Sequence, residues 1–386
     1  MKIDNKYSMI IPTYNRPVLL KRLISYLSNK QVGFQIFVLD SSSNEDTKRD
    51  NKCICANTNL KIAYFDYPSE IIGKDKVLDG LKKVDTEYMS FCADDDIVFP
   101  DSIKKCLDFL VDNADYAGCH AYYLNFTNIN DKECQISLEY SSPSIDGNSF
   151  SERSLQLMLK YEAIFYAVFR TDVLRNSFKQ IENINSFMFQ ELFLSLTPLI
   201  AGKVKRLNFI YYGRRGADPH ELLNRSKWHP YEWFADNPEE LIEEYLVYRD
   251  TLLNYMKNNG HDLKDIEKYK KLINLVHAAY FVNTTESERA HFSDRIRTDW
   301  NIQVPQQAVI EFPIYFKLLG IIRKYVGFFS GKYALEKSFR FKNPDGSSIF
   351  YRIKYPMLKQ IGSVELNKIL KEMTVYFGEN FVQKNK

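Results

Sequence analysis

Short apolar runs alternate with stretches of helical periodicity along the first 126 residues of this chain. Four runs have the length and composition of buried strands, namely Tyr7 to Ile11, Phe34 to Leu39, Lys61 to Tyr67 and Tyr88 to Cys92. Between them, apolar residues recur at helical spacing, as in Leu19 to Leu27 and Asp75 to Val84. Repeated strand and helix units are typical of a mostly parallel sheet with helices on both faces. The pattern therefore predicts an α/β, Rossmann-like arrangement.

The later pattern predicts the rest of this domain and a second region. Pro100 opens a predicted helix, residues 115 to 140 favour strands, and the Ser-, Pro- and Gly-rich stretch 141 to 149 favours a loop. Helices at 153 to 161 and 188 to 200 and a strand at 204 to 212 complete a domain predicted to span residues 1 to 225. Residues 226 to 386 are predicted to be mainly helical, with helices at 239 to 258, 264 to 283, 286 to 299 and 364 to 376.

Length and composition allow an ordered protein with more than one domain. The chain has 386 residues, of which 45% are hydrophobic and 15% aromatic. This aromatic content suits both sugar-stacking walls and core packing. The amino terminus has no long apolar segment, and no apolar stretch reaches the roughly 18 residues of a membrane span, so we expect a cytoplasmic protein. The six cysteines lack paired metal-ligand spacing and are expected to be free thiols.

The positive charge is concentrated near the end of the chain. The formal net charge is +3, but residues 313 to 386 contain 14 Lys or Arg and 5 Asp or Glu. Within this region Phe312 to Phe329 mixes apolar and basic residues, so it could be a membrane-surface helix near a lipid-linked glycan, an oligomer contact or a core helix. Nucleic-acid binding is not expected, because the aromatic residues lie at core-like spacing.

Polar residues follow three of the predicted strands. Asp94, Asp95 and Asp96 follow the fourth strand, Asp40 with three serines follows the second, and Pro12-Thr13-Tyr14-Asn15-Arg16 ends the first. Adjacent carboxylates repel each other, so the triplet suggests a bound cation, although acidic runs are commonly solvated loops. Ligands of open parallel sheets bind beyond the carboxyl ends of the strands, where these groups are expected to meet.

These three segments in this order, with Phe99-Pro100-Asp101 after the triplet, resemble the GT-A glycosyltransferases of the family 2 type over about residues 7 to 215. The resemblance implies a GT-A domain that binds a nucleotide-sugar, usually a UDP-sugar, and Mn²⁺ or Mg²⁺ on its diphosphate. It implies Asp95 as a direct metal ligand, Asp96 as a third acid on the metal, and Asp94 near the ribose or a metal-bound water. Ala93 departs from the family pattern, since many members carry an acid there.

The resemblance also implies the nucleotide site. Asp40 would contact the base or ribose, and Pro12, Thr13, Asn15 and Arg16 would lie beneath the uracil and first phosphate. For Thr13 and Asn15 a helix cap is the alternative. Lys76, with Lys74, would approach the nucleotide, or both would be solvated lysines at an exposed helix start.

An inverting transfer requires a carboxylate that accepts the proton of the acceptor hydroxyl. The family supplies it from an acidic pair at the start of a helix, and the matching position here is Glu191. Its partner is Gln190 rather than a second acid. The alternative for Glu191 is a glutamate favoured in a first helical turn by the helix dipole.

The resemblance places a phosphate clamp after the last strand of the domain. Arg214 and Arg215 stand there, and Arg provides paired donors for phosphate oxygens. His220 could be a metal ligand or a surface residue. The aromatic residues Trp228, His229, Tyr231, Trp233 and Phe234 could form an acceptor wall or interdomain packing.

The sequence thus predicts a metal-dependent, inverting glycosyltransferase acting on a surface glycan or glycoconjugate. A nucleotidyltransferase is the enzyme alternative, but Pro12 to Arg16 is not its glycine-rich phosphate loop. A non-catalytic nucleotide- or glycan-binding protein with the same fold is the other alternative, and Gln190 is its support.

Overall fold

The computed structural model describes residues 5–71, 73–130, 133–216, 233–234, 236–282, 336–342, 348–354, 361 and 363–377.

The first half of the chain alternates strands and helices. Its elements are β1 (Tyr7–Thr13), α1 (Pro17–Asn29), β2 (Gln35–Asp40), α2 (Glu45–Ala56), β3 (Ile62–Asp66), α3 (Gly73–Lys83), β4 (Tyr88–Phe91), β5 (Ile97–Val98) and α4 (Pro100–Asp112). The four predicted strands and the three predicted helices are all present, with ends that differ by a few residues.

The middle of the chain adds antiparallel strands and a helical layer. Its elements are β6 (Tyr116–Asn130), β7 (Glu133–Tyr140), α5 (Phe150–Leu159), β8 (Val168–Arg170), α6 (Thr171–Phe178), α7 (Phe187–Ala201) and β9 (Lys203–Arg215), with 3-10 turns at Ile164–Tyr166 and Ile181–Asn183. The described remainder contains α8 (Pro238–Asn258), α9 (Ile266–Val282), β10 (Glu336–Lys342), β11 (Ser348–Lys354) and α10 (Ser363–Phe377).

All eleven described strands belong to one mixed sheet. Its order is β10-β11-β7-β6-β8-β4-β1-β2-β3, and β9 pairs with both β5 and β6. The strands β4, β1, β2 and β3 are parallel to one another, as predicted, whereas β8 pairs antiparallel with both β4 and β6. The fold class is therefore α/β, with a mixed sheet whose β1 to β4 part is parallel, as predicted.

The strand register aligns the polar strand ends. Thr13 of β1 pairs with Asp40 of β2, and Asp40 pairs with Asp66 of β3. Helix α3 packs close to this sheet, because a Cβ on its Gly80 would lie 2.5 Å from a methyl carbon of Leu39. The carboxyl ends of the strands consequently form one continuous edge, where the candidate site lies.

Several elements were absent from the sequence prediction. Helix α2 buries only Asn51 and Cys55 and therefore shows little apolar periodicity. Strand β8 has three residues, too few for a pattern. The pair β10 and β11 was also missed, because residues 226 to 386 were predicted to be mainly helical. Strand β11 pairs parallel with β7, so this part of the chain extends the sheet.

The helical predictions beyond residue 236 have mixed outcomes. Helices α8, α9 and α10 confirm three of them within a few residues. The predicted helix at 286 to 299 and the segment Phe312 to Phe329 lie outside the described residues. The division at residue 225 stays a prediction. All six cysteines are free, as expected, and five of them are buried.

The helix pair α8 and α9 contains a buried histidine that is expected to make stability depend on acid. The Nδ1 of His277 lies 2.8 Å from the Ile273 carbonyl oxygen, and its Nε2 lies 2.7 Å from the Tyr248 hydroxyl. Burial lowers the pKa of His277 to about 4. Between about pH 6.5 and pH 4 the unfolded chain binds a proton that the folded chain does not. The free energy of unfolding therefore decreases as the pH is lowered through this range, by up to about 3 kcal/mol from this group.

Urea unfolding at pH 7 and pH 4.5 measures this effect. We expect His277→Gln to lose less stability on acidification than the wild type. His261→Gln changes a histidine that is not bonded to Tyr248 or Ile273, and it should lose as much stability as the wild type. Equal acid losses in His277→Gln and the wild type would contradict the assignment.

Candidate active site

The acid triplet forms a tight turn after β4. The Asp96 amide donates to the Ala93 carbonyl over 3.2 Å. Asp94 is buried and accepts a hydrogen bond from the Thr13 hydroxyl over 2.7 Å. Arg16 spans the first two acids, with Nη1 lying 3.4 Å from Asp94 Oδ1 and 3.0 Å from Asp95 Oδ2. The end of β1 and the acid turn are thus joined by side chains.

The three carboxylates point to different partners. Asp96 is 4% exposed and accepts hydrogen bonds from the Tyr212 hydroxyl over 2.9 Å and from the Arg215 amide over 2.8 Å. The Asp95 side chain is more accessible, and Arg215 Nη1 lies 4.0 Å from its Oδ2. Asp95 is therefore the member of the triplet best placed to meet a ligand.

Burial changes the acidity of the flanking acids. It raises the pKa of Asp94 to about 6, and hydrogen bonds from Thr13 and Arg16 only partly oppose this. Burial and the negative charge of Asp95 also raise the pKa of Asp96 above its usual range. Carboxyl groups whose pKa is shifted by burial and by a neighbouring charge are characteristic of functional sites.

The loops after β1 and β2 are tied together. Asn15 has a positive φ of 54°, its amide donates to the Ser42 hydroxyl, and its side chain exchanges hydrogen bonds with Ser43. Helix α1 begins after Arg16 without a side-chain cap. The helix-cap alternative for Thr13 and Asn15 is therefore wrong, since both side chains bond across to neighbouring loops.

Asp40 lies inside the protein rather than at its surface. It is 0% exposed, and it accepts hydrogen bonds from the Ser42 amide and hydroxyl, Asn51 Nδ2 and the Tyr64 hydroxyl over 2.6 to 2.8 Å. Because it accepts from these four donors, Asp40 has a structural role at the end of β2. Its contact with a nucleotide stays a prediction.

Asp40→Ala is expected to lower the free energy of unfolding by about 3–5 kcal/mol, because it leaves several buried donors without an acceptor. Asp66→Ala is the matched control, since Asp66 ends the adjacent strand in register but pairs with Lys48 at an exposed position. We expect that control to cost less than about 1 kcal/mol. Urea unfolding measures both, and a cost for Asp40→Ala as small as that of the control would contradict this role.

Two lysines of α3 contact different parts of the protein. Lys76 is buried, and its Nζ donates to the Thr13 carbonyl over 3.1 Å and to the Ser41 hydroxyl over 2.7 Å. Burial lowers its pKa, while the Asp40 and Asp94 carboxylates act in the opposite direction. Lys74 donates to the Glu182 carbonyl over 2.5 Å. The alternative of solvated lysines is therefore wrong for Lys76.

Glu191 lies in the first turns of α7, where the hydroxyl of Ser186 caps the helix by accepting from the Phe189 amide. Its Oε1 accepts a hydrogen bond from the Tyr161 hydroxyl over 2.9 Å, and that hydroxyl also lies 3.0 Å from Ser195 Oγ. Gln190 donates to the Ile184 carbonyl over 2.6 Å. Glu191 is thus held in place by a tyrosine, whereas Gln190 anchors the preceding loop.

One cavity of about 280 Å³ connects these groups. Glu191 and Gln190 line this cavity together with Pro12, Lys76 and Ala93. Its remaining wall is mainly apolar and includes Phe91, Phe165, Tyr166, Phe178 and Leu194. A larger open groove of about 700 Å³ lies between α1 and α2, and no residue of the acid turn lines it. The smaller cavity is therefore the candidate active site.

The two arginines after the predicted strand have different surroundings. Arg214 is packed against the rings of Tyr140 and Tyr166, and it donates to the Tyr140 hydroxyl. Arg215 instead lies beside the acid turn, with its amide on Asp96 and its guanidinium facing Asp95. Of the pair, Arg215 is the arginine that faces Asp95, and a phosphate clamp at either position stays a prediction.

The predicted aromatic cluster is described only in part. His220 and residues 228 to 232 lie outside the described residues. The Trp233 ring lies 5.8 Å from that of Phe189 on α7, and its Nε1 donates to Glu240. Trp233 therefore contributes to packing between α7 and α8, whereas Phe234 is exposed.

A divalent cation fits this site only if a bound ligand supplies further oxygen atoms to the cation. Among the described residues, no three His, Cys, Asp or Glu side chains are grouped to hold a metal ion. Asp95 can supply one carboxylate, while both oxygens of Asp96 already accept hydrogen bonds. Mg²⁺ commonly uses one or two carboxylates together with substrate phosphates and water. The donors present therefore fit a cation shared with a diphosphate, and Asp96 as a ligand stays a prediction.

Some residues of the site could not be found from the sequence. Tyr161 donates a hydrogen bond to Glu191, and Phe165 forms part of the cavity wall. Tyr161 follows α5 and Phe165 belongs to the 3-10 turn Ile164–Tyr166, and neither segment has a polar motif. Only the abundance of tyrosine and phenylalanine gave a signal, and it did not distinguish site from core.

Comparison with known proteins finds similarity in the first part of the chain. The sheet order, the acid turn after β4 and the carboxylate of Glu191 in the cavity agree with the resemblance drawn from the sequence. The model of the glycosyl transferase family 2 matches residues 8–178, which are less than half of the chain.

Curated relatives support the same family. The GalNAc(5)-diNAcBac-PP-undecaprenol beta-1,3-glucosyltransferase of Campylobacter jejuni is 29% identical over 176 residues, which are 44% of this chain and 53% of that protein. An uncharacterized glycosyltransferase of Rickettsia bellii is 29% identical over 148 residues, which are 38% of this chain and 20% of that protein. The matches thus span about half or less of these relatives.

Solved structures give more distant likenesses. TarS 1-349 of S. aureus has a TM-score of 0.41 and 15% identity, covering 75% of this chain and 92% of that one. Glucosyl-3-phosphoglycerate synthase of Mycobacterium tuberculosis, in complex with Mn²⁺, UDP-glucose and phosphoglyceric acid, has a TM-score of 0.36 and 13% identity, covering 66% and 81%.

Proposed function

We propose that this chain transfers a sugar from a nucleoside diphosphate donor, preferably a UDP-sugar, to a hydroxyl group of a glycan or glycoconjugate, with inversion at the anomeric carbon. The observation that carries the proposal is the cavity that Glu191 shares with Pro12, Lys76 and Ala93. A carboxylate and the strand ends expected to bind a diphosphate thus face one space.

Glu191 is the proposed general base. The acceptor oxygen attacks the anomeric carbon, the bond from that carbon to the diphosphate oxygen breaks, and the Glu191 carboxylate accepts the acceptor's hydroxyl proton. The hydrogen bond from Tyr161 to Oε1 orients the carboxylate and disperses its charge. Glu191 therefore receives the proton while the nucleoside diphosphate departs with the bonding electrons.

The strand ends are the proposed site for the leaving group. Negative charge grows on the diphosphate as the bond breaks, and Arg16 and Arg215 lie beside Asp95 where they can reach phosphate oxygens. A bound Mn²⁺ or Mg²⁺, held by Asp95 and the diphosphate, would add neutralising charge. Both arginines are at least one-third exposed, so they can move from Asp95 to a ligand.

The acceptor is proposed by its chemical class. The Campylobacter jejuni relative is named for an undecaprenol-linked glycan, and an acceptor glycan carried on a lipid or another surface glycoconjugate is proposed here. No helix among the described residues is long and apolar enough to cross a membrane. Contact with a membrane surface through Phe312 to Phe329, which lies outside the described residues, is part of the proposal.

Donor hydrolysis tests the proposal. Incubation with a panel of UDP-, GDP- and CMP-sugars, with Mn²⁺ or with EDTA, should release nucleotide from a UDP-sugar faster than from the others and only with the metal. Binding of UDP without any release, under acceptor-free and acceptor-containing conditions, would favour the non-catalytic alternative. The absence of nucleotide binding would overturn the proposed donor.

A further inference from the structure

The last described helix contacts the acid turn from the far end of the chain. The hydroxyl of Tyr376 on α10 donates a hydrogen bond to the backbone carbonyl of Asp95 over 3.1 Å. Tyr376 is 2% exposed, so solvent does not compete for this bond. The contact joins residues that are 281 positions apart in the sequence.

The Tyr376 ring is held by neighbours on two other elements. Its centroid lies 5.8 Å from that of Tyr26 on α1 and 6.1 Å from that of Phe126 on β6. The guanidinium of Arg22 lies 5.6 Å from the centroid of the ring. Because aromatic and cation contacts fix the ring, its hydroxyl has little freedom to leave the Asp95 carbonyl.

Polar contacts hold α10 itself in register with the site. Glu372 accepts a hydrogen bond from the Tyr26 hydroxyl over 2.7 Å and pairs with Lys30 over 3.1 Å. One turn earlier, Lys368 pairs with Asp101 over 2.8 Å. Asp101 is in the first turn of α4, which follows the acid turn and the short strand β5. Helix α10 therefore contacts both the turn and the helix that follows it.

We propose that Tyr376 is a positioning residue for the diphosphate site, which it serves by fixing the Asp95 carbonyl and thereby the directions of the Asp95 and Asp96 side chains. This inference rests on the proposed function. A site that binds charge works best when its groups are held in the bound geometry before the ligand arrives. The carboxyl-terminal helix thus forms part of the donor site although it supplies no ligand.

Tyr376→Phe removes the hydroxyl and keeps the ring. We expect the Kd for UDP with Mn²⁺ to rise by about three- to tenfold, the range for one lost hydrogen bond. The Kd for uridine should not change, because uridine has no diphosphate. Hydrogen exchange of residues 93 to 98 should become faster, whereas a purely structural effect would spread through α1 and α10.

Tyr351→Phe is the matched control. Tyr351 lies on β11, and its hydroxyl lies 3.0 Å from the hydroxyl of Thr374 on α10, away from the acid turn. We expect this variant to bind UDP with Mn²⁺ like the wild type. Equal UDP affinity in Tyr376→Phe and the wild type would overturn the inference alone. A wild type that binds no UDP, GDP or CDP with Mn²⁺ would overturn the proposed function and this inference with it.

Discussion

Glu191→Gln is expected to lower the rate of sugar transfer by about 10²–10⁴-fold, the usual contribution of a general base. Glutamine keeps the size of the side chain and can accept the hydrogen bond from Tyr161, but it cannot take the proton of the acceptor. The fold and the nucleotide site should therefore remain intact. Initial rates of nucleotide release from the donor, with saturating acceptor or with water as the acceptor, measure the loss.

The affinity for UDP separates a lost base from a damaged site. Calorimetric titration of Glu191→Gln with UDP and Mn²⁺ should give a Kd within about twofold of the wild type, because the substitution leaves the proposed diphosphate groups Arg16, Asp95 and Arg215 unchanged. Glu182→Gln is the matched control, since it removes an exposed carboxylate shortly before α7 and should keep full activity. Wild-type rates in Glu191→Gln would refute Glu191 as the base.

Asp95→Asn is expected to weaken UDP binding in Mn²⁺ by about tenfold or more and to lower transfer by about 10²–10³-fold. The substitution removes the most accessible carboxylate of the acid turn, and the neutral amide is a poor ligand for a hard cation. Titrations with and without EDTA measure the metal-dependent part of the affinity. This part should be lost in the variant, while binding in EDTA should change little.

Asp108→Asn controls for the loss of one negative charge. Asp108 is exposed on α4, outside the residues that contact the acid turn. We expect this variant to retain the full effect of Mn²⁺ on UDP affinity. If Asp95→Asn retained it too, the cation would have to be held by other groups, and the proposed assignment would be wrong.

The two largest expected effects differ in a useful way. Glu191 is expected to act on the rate and not on nucleotide affinity, whereas Asp95 is expected to act on both. Asp40 is expected to act on stability, because its four hydrogen bonds lie within the protein. Measured together, these variants distinguish a base, a donor-site ligand and a structural acid that the sequence presents as similar carboxylates.

The sequence alone determined the four parallel strands β1 to β4, most of the helices and the edge of the sheet that carries the site. This was possible because the first strands are short buried runs, and each ends at a polar segment that a parallel sheet places at one edge. The position of Glu191 at the start of an apolar helix was also evident, because helix α7 has a continuous hydrophobic sequence and a polar cap.

Only the tertiary structure decided what each polar residue contacts. Asp40 ends β2 and Asp95 follows β4, yet Asp40 is enclosed by four hydrogen-bond donors and Asp95 is accessible. The neighbours of Asp40 come from α2 and β3, whereas those of Asp95 are Arg16 and Arg215. Tyr161 reaches Glu191 from the segment after α5, and Tyr376 reaches the acid turn from α10. Periodicity reports which face of an element is buried, but contacts between distant elements depend on how those faces pack, which no local pattern contains.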